Sequence, residues 1–131
     1  MTMTRSMLIS GTAILAVIGV CIADQPAAKF TELQRRAIPG TELEGVTTVA
    51  EIPPGATSAK HSHPGEDFGY LIEGTIVLMV DGKPPVTVKA GEVFFTERGK
   101  MHNARNIGTT TARAVDTYVI DKGKPGLTPA H

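Results

Sequence analysis

The sequence is poor in the residues that support thiol chemistry or aromatic stacking. It contains one cysteine and no tryptophan, and aromatic side chains make up 5% of its 131 residues. A stacking surface for nucleobases would therefore have few residues to draw on. Acidic and basic side chains number 13 each, so the cationic excess that nucleic-acid-binding proteins use is missing. These shortages exclude a generic nucleic-acid-binding protein.

What is present is the composition of a folded domain. Hydrophobic residues make up 41% and charged residues 20%, which is typical of globular proteins, and the length suits one domain. Fourteen glycines and nine prolines indicate many turns, and hence many short strands. No stretch has sustained helical periodicity, which excludes a parallel α/β fold. The sequence therefore predicts a single all-β domain.

Strand-like runs separated by turn signals occupy most of the chain. We expect a polar N-terminal arm at 24–40 with a short helical stretch at Phe30–Arg36, a β-barrel at 41–120, and a Gly/Pro-rich C-terminal tail at 121–131. The tail should lie against the surface or a partner subunit. We predict seven or eight strands, at 46–52, 67–73, 75–80, 86–90, 92–96, 105–108 and 111–120.

The first 23 residues have the pattern of a secretory signal peptide. One positive charge, Arg5, precedes an uncharged run from Met7 to Ala23, and Asp24 follows. We expect cleavage after Ala23, so the protein would be exported to the periplasm or secreted, without a membrane segment. An uncleaved N-terminal membrane anchor is the alternative, while lipid attachment at Cys21 is disfavoured by the preceding Val20. Cleavage removes the only cysteine, leaving histidines, carboxylates or a bound metal as the source of any reactivity.

Histidines and acids are concentrated in two places. His61 and His63 lie two residues apart, so an extended strand presents both imidazoles on one face. Asp67 shares their parity if the chain stays extended, whereas a turn at Pro64-Gly65 would present Glu66 instead. His102 lies in a second polar segment downstream. Three imidazoles and a carboxylate suit Fe, Mn, Ni, Cu or Zn and leave coordination positions open. Taken alone, the pair could be solvated loop histidines, and His102 could be an interior histidine bonded to backbone.

Two glycine-bounded motifs contain these residues and resemble those of the cupins. The first motif is Gly55-x5-His61-x-His63-x3-Asp67-x6-Gly74, and sixteen residues separate it from the second, Gly91-x5-Glu97-x-Gly99-x2-His102-x3-Asn106. The family usually has Glu in the position of Asp67 and Pro in the position of Glu97. The shorter Asp67 side chain keeps Glu66 open as the alternative carboxylate.

The resemblance implies a small antiparallel β-barrel of the jelly-roll type with a divalent transition metal inside it. By the resemblance, the ligands are His61, His63, His102 and Asp67, and Asn106 is structural. Compact cupins usually form dimers, so we also expect a homodimer in which the arm and the tail take part.

The family includes enzymes and binding proteins, and fold alone does not choose between them. The first hypothesis is a dioxygenase-like oxidoreductase that acts on a small organic molecule at the metal. The second is a non-catalytic cupin of the cell envelope that binds a metal or a small ligand. A third is a barrel whose histidines are vestigial and whose role is dimerisation. A nucleophilic hydrolase is not supported, since no Ser/His/Asp set stands out.

Overall fold

The computed structural model describes residues 26–131, and in this range the chain forms ten β-strands and no helix. The predicted signal peptide lies outside the described residues. The strands are β1 Lys29–Ala37, β2 Leu43–Ile52, β3 His61–Ser62, β4 Gly65–Glu73, β5 Thr75–Val80, β6 Val86–Lys89, β7 Val93–Thr96, β8 His102–Asn106, β9 Ala112–Asp121 and β10 Thr128–Pro129. Since none of these residues is helical, the described range has no helix long and apolar enough to span a membrane.

The strands form two five-stranded antiparallel sheets. The first, called here the carboxyl sheet after the acids described below, has the order β1-β2-β9-β4-β7. The second, called the imidazole sheet, has the order β10-β3-β8-β5-β6. The all-β jelly-roll prediction is confirmed, although the two sheets face each other without closing into a continuous barrel.

The core lies between the sheets because long strands alternate inward and outward side chains. In β9 every second residue is buried, and β2 has the same alternation. The main apolar cluster joins Leu71 of the carboxyl sheet to Ile76 and Leu78 of the imidazole sheet. Val46, Tyr118 and Ile120 form a second, smaller cluster. Polar side chains occupy the inward positions between the two clusters, and this is where the candidate site lies.

The expected helical stretch at Phe30–Arg36 is wrong, because these residues belong to β1. The spacing of Phe30 and Leu33 resembles a helical turn, but β1 instead pairs with β2 over its whole length. A register shift between Glu32 and Gln34 breaks the regular alternation, which hid the strand from a pattern search. Pairing with a neighbouring strand overrides such weak local preferences.

The other predicted strands are present in the structure, with bounds that differ from the predicted ones by at most three residues. Prediction missed β3 and β10, each of two residues, and expected β8 to start at Arg105, whereas it starts at His102. The difference at β8 matters because it moves His102 from a loop into a sheet. The tail pairs with its own chain, since Thr128 is opposite Ser62 in the imidazole sheet.

Candidate metal centre

Three histidines converge at the inner face of the imidazole sheet. His61 in β3 and His102 in β8 are direct cross-strand partners, which brings their rings to a centroid distance of 4.4 Å. His63 lies two residues after His61 and points to the same side, 5.0 Å from each of the other rings. One ring nitrogen from each of the three lies within 4.8 Å of the others. The structure thus brings together all three predicted imidazole ligands.

Backbone carbonyl groups fix the orientation and the tautomer of each ring. Nδ1 of His61 lies 2.7 Å from the Ala59 oxygen, and Nδ1 of His102 lies 2.8 Å from the Lys100 oxygen. Nδ1 of His63 lies 2.7 Å from the oxygen of Gly126 in the tail. A carbonyl oxygen only accepts, so each Nδ1 carries the proton and each neutral ring keeps its lone pair on Nε2. This arrangement is typical of metal-binding histidines.

Burial keeps the three imidazoles in the neutral form. Each ring is at most 5% exposed. Burial lowers the pKa of His61 and of His102 below the usual range, and it lowers the pKa of His63 to about 3. Unprotonated rings are the form that binds a metal, so no proton has to leave near neutral pH.

Two of the histidine rings pack against aromatic side chains. Tyr118 stacks on His63 with a centroid distance of 4.0 Å and an interplanar angle of 20°. Phe30 of β1 meets His61 edge to face at 5.4 Å. The sequence analysis assigned neither residue to the site. Phe30 was missed because it fell in the expected helical stretch, and Tyr118 because its facing depends on the register of β9.

Asp67 approaches the histidines from the opposite sheet. Its Oδ2 lies 3.7 Å from Nε2 of His63, and its Oδ1 is buried without a hydrogen-bond partner among the described residues. Burial, reinforced by the nearby Asp116, raises the pKa of Asp67 to about 8. An orphaned buried carboxylate oxygen beside three nitrogen lone pairs is a donor set that fits a divalent cation.

The alternative carboxylate, Glu66, points to the other face of β4. It is only half-buried, and its Oε2 accepts a hydrogen bond of 3.2 Å from the backbone N–H of Arg98. The strand alternation therefore separates Glu66 from the imidazoles and directs Asp67 towards them. Pro64-Gly65 does not reset the parity, because β4 already begins at Gly65.

A second buried carboxyl group, Asp116, lies in the same cavity and was missed by the sequence analysis. Its side chain is on the inward face of β9 and is 5% exposed. Burial raises its pKa to about 7. The signal that could have revealed it is the alternation of β9, in which Ala112, Ala114, Tyr118 and Ile120 point inward together with one acid.

The cavity is small, and its remaining wall is largely apolar. Its volume is about 40 Å³, which is room for a few water-sized groups. It is lined by Phe30, Ala50, Ile52, Ser58, His61, Asp67, Ile76, Leu78, Phe94, His102, Ala104, Ala114, Asp116 and Tyr118. Phe30 and His61 also line an outer groove of about 400 Å³. Phe30 and His61 therefore separate the cavity from the outer groove.

One wall of the cavity depends on a glycine. Gly69 is opposite Phe94 in β7 and opposite Asp116 in β9. A Cβ atom built on Gly69 would overlap the Phe94 ring. The missing side chain therefore lets Phe94 lie flat over β4 and close the cavity next to Asp116.

Asn106 has the structural role that was expected. It is fully buried and donates hydrogen bonds to the carbonyl oxygens of Ile52 at 2.8 Å and Thr110 at 2.7 Å. Its Oδ1 accepts from the N–H of Gly108 at 2.8 Å. The side chain thus ties the end of β8 to the end of β2 and to the turn before β9.

Fold and site together define a class: a jelly-roll protein with a buried three-histidine cluster that faces a small, mostly apolar cavity. The model of the Cupin domain family matches residues 48–118, which is more than half of the chain. The protein therefore belongs to the Cupin domain family, as the two motifs predicted.

Curated relatives include both a binding protein and an enzyme. The chain is 39% identical over 71 residues to an oxalate-binding protein from Thermotoga maritima, covering 53% of this chain and 58% of the relative. It is 31% identical over 106 residues to oxalate oxidase GF-2.8 from Triticum aestivum, covering 74% and 46%. The chain thus spans about half the length of the curated relatives it matches.

Solved structures show the same fold. Oxalate oxidase in complex with the substrate analogue glycolate has a TM-score of 0.65 at 27% identity, covering 82% of this chain and 57% of that one. A conserved protein with a double-stranded β-helix domain from Klebsiella pneumoniae has a TM-score of 0.64 at 23% identity, covering 92% and 99%. The second likeness shows the fold alone.

Proposed function

We propose that this protein is an exported cupin that holds a divalent transition metal and acts as a dioxygenase-like oxidoreductase on a small organic molecule. His61, His63 and His102 are the nitrogen ligands, and Asp67 is the carboxylate ligand. The observation that carries the proposal is the convergence of three Nε2 lone pairs whose Nδ1 atoms are all fixed by backbone carbonyls. Three neutral nitrogen acceptors that face one point are a donor set suited to a divalent transition metal.

When bound, the metal would supply Lewis-acid and redox chemistry at positions that the protein leaves open. The residues of this chain do the rest. The carbonyls of Ala59, Lys100 and Gly126 hold the imidazoles in place, so little rotamer freedom remains to be lost on binding. Asp67 offsets part of the metal charge in a buried place. The apolar wall excludes bulk water and limits the ligand to a small molecule.

The substrate class draws support from the relatives. One curated relative is an oxalate-binding protein and another an oxalate oxidase, and a solved structure of an oxalate oxidase holds the substrate analogue glycolate. Small two-carbon acids are therefore the first molecules to screen. The activity of a whole relative remains a proposal here, because this chain matches only part of each one.

Metal content is the first test. The protein lacking residues 1–23 is purified without chelator or added metal and analysed by mass spectrometry, beside a His61→Ala/His63→Ala double variant. A His131→Ala variant is the matched control, since His131 is an exposed tail residue. We expect near-stoichiometric Fe, Mn, Ni, Cu or Zn in the wild type and in the control, and its loss in the double variant. Absence of metal from the wild type even after reconstitution would refute the proposal.

A non-catalytic ligand-binding cupin is the second candidate. It is favoured by the oxalate-binding relative, which has the higher identity of the two relatives above. Oxygen uptake separates the two functions. An enzyme of the proposed type consumes O₂ in the presence of its substrate, whereas a binding protein binds the same molecule without consuming O₂.

Export and assembly have their own tests. The pattern of residues 1–23 supports export, and cell fractionation with an antibody to the folded domain would detect it. The homodimer also stays a prediction, and light scattering at micromolar concentration would reveal a monomer if it is wrong. In the structure both predicted dimer segments pair within one chain, β1 with β2 and β10 with β3.

A further inference from the structure

The described residues that line the cavity include acidic side chains but no lysine or arginine. Two carboxyl groups, Asp67 and Asp116, face it, and the hydroxyl-bearing residues Ser58 and Tyr118 complete the polar part of the lining. Lys60 lines the outer groove, where its Nζ pairs with Oδ1 of Asp81 at 2.6 Å. The protein thus provides no positive side chain inside.

Asp116 has no structural task that would explain its burial. No side-chain hydrogen bond or salt bridge within residues 26–131 involves its carboxyl group, which lines the cavity outside the three-histidine cluster. Its cross-strand neighbour Thr48 donates to the Tyr118 hydroxyl at 3.0 Å instead. Its other neighbour is Gly69, which offers no side chain. Since an unpaired buried acid is costly, its retention points to a ligand.

We infer that Asp116 is a specificity residue: it receives an uncharged hydroxyl of the bound molecule and discriminates against a second negative charge at that position. The inference rests on the proposed function, because the ligand is taken to bind beside the metal. With a divalent metal bound, the cation favours the ionised forms of Asp67 and Asp116, so the metal and the two carboxylates sum to zero charge. None of the described residues that line the cavity is lysine or arginine. A dianion would therefore place two uncompensated charges in a small apolar space, which is strongly unfavourable.

Glycolate and oxalate are a matched pair of probes for this inference. Both are two-carbon acids that share a carboxylate on one carbon. The other carbon has a neutral hydroxyl in glycolate and a second carboxylate in oxalate. The ionised carboxylate of Asp116 accepts a hydrogen bond from the hydroxyl, whereas it repels the second carboxylate. The ratio of the two affinities then reports on the group that faces the second carbon.

The experiment compares Asp116→Asn with the wild type. Asparagine has nearly the same shape but no charge, so the cavity keeps its volume. Asp121→Asn removes an acid from the end of the same strand, outside the cavity, and is the control for net charge. Each protein is loaded with the transition metal that co-purifies with the wild type, and glycolate and oxalate are titrated by calorimetry. Metal content is measured before and after each titration.

We expect Asp116→Asn to raise the oxalate affinity relative to the glycolate affinity by about tenfold, because one close negative charge is removed. The Asp121→Asn control should leave the ratio unchanged, and all three proteins should keep the same metal content. An unchanged or lower ratio in Asp116→Asn, with the metal retained, would overturn the inference. Failure of the wild type to hold any metal is a different result, since it refutes the metal centre itself.

Discussion

The two sheets make different contributions to the site. The imidazole sheet supplies nitrogen donors that are fixed by backbone carbonyls, with His61 and His102 as cross-strand partners. The carboxyl sheet supplies Asp67 and Asp116, which are both buried, and Oδ1 of Asp67 has no hydrogen-bond partner among the described residues. One side is therefore preorganised for a single task, and the other keeps its hydrogen-bonding capacity for whatever enters the cavity. The difference indicates that metal affinity comes from the first sheet and ligand choice from the second.

The largest expected effect is on metal content. It is measured in two single variants, each of which removes one metal ligand from one of the two sheets. His102→Ala should lower the metal content about tenfold or more, since it removes one of three fixed ligands. Asp67→Asn should retain a clearly larger fraction, because the three imidazoles stay in place. Mass spectrometry of the purified variants measures both. A greater loss in Asp67→Asn than in His102→Ala would reverse the assignment of affinity to the imidazole sheet.

The carbonyl of Gly126 can be tested by shortening the tail. Deleting residues 124–131 removes the acceptor of the His63 Nδ1 proton and should weaken metal binding about tenfold or more. Deleting only residues 128–131 removes β10 but keeps Gly126. Competition with a chromogenic chelator measures the affinities. Equal losses in both truncations would mean that strand pairing, and not the carbonyl, supports the site.

The packing of Phe94 over Gly69 in the carboxyl sheet can be tested without changing an acidic residue. Gly69→Ala should destabilise the protein by about 1–3 kcal/mol, because the new methyl group overlaps the Phe94 ring. Gly45→Ala is the matched control, since a Cβ atom there meets nothing within 4 Å. Thermal unfolding followed by circular dichroism compares the two. A Gly69→Ala protein as stable as the control would show that Phe94 moves aside at no cost.

The two sheets should also respond to pH in opposite directions when the metal has been removed. The lowered pKa values of the histidines mean that the unfolded chain binds more protons below about pH 6.5, so acid destabilises the fold. The pKa values of Asp67 and Asp116, raised to about 8 and about 7, mean that the folded chain binds more protons up to that range, so stability falls as the pH rises through it.

The resulting curve of Tm against pH should have its maximum near pH 6.5. A fall of about 5 °C is expected from there to pH 8.5 in metal-free protein. The Asp67→Asn/Asp116→Asn double variant should lose the alkaline fall and keep the acid one. A flat alkaline limb in the wild type would show that the two acids are not held protonated by burial.

Local pattern sufficed to predict the imidazole half of the site. The parity of His61 and His63 follows from two-residue spacing in an extended chain, and His102 came from the second motif. The carboxyl half was harder to predict. Asp116 and Tyr118 face the cavity because of how β9 pairs with strands that are distant in the sequence. The same limit explains β1, whose partner strand outweighs its own weak periodicity. Gly126 could not be found at all, since a backbone carbonyl leaves no trace in residue type.

That carbonyl also has a consequence for the order of events during synthesis. His63 and Gly126 are 63 positions apart, and strands β4 to β9 lie between them in the sequence. A nascent chain that already exposes His61, His63 and His102 has three imidazoles, but the ring of His63 is still free to rotate. The His63 ring therefore reaches the orientation seen in the structure only after the segment around residue 126 has been synthesised and has docked.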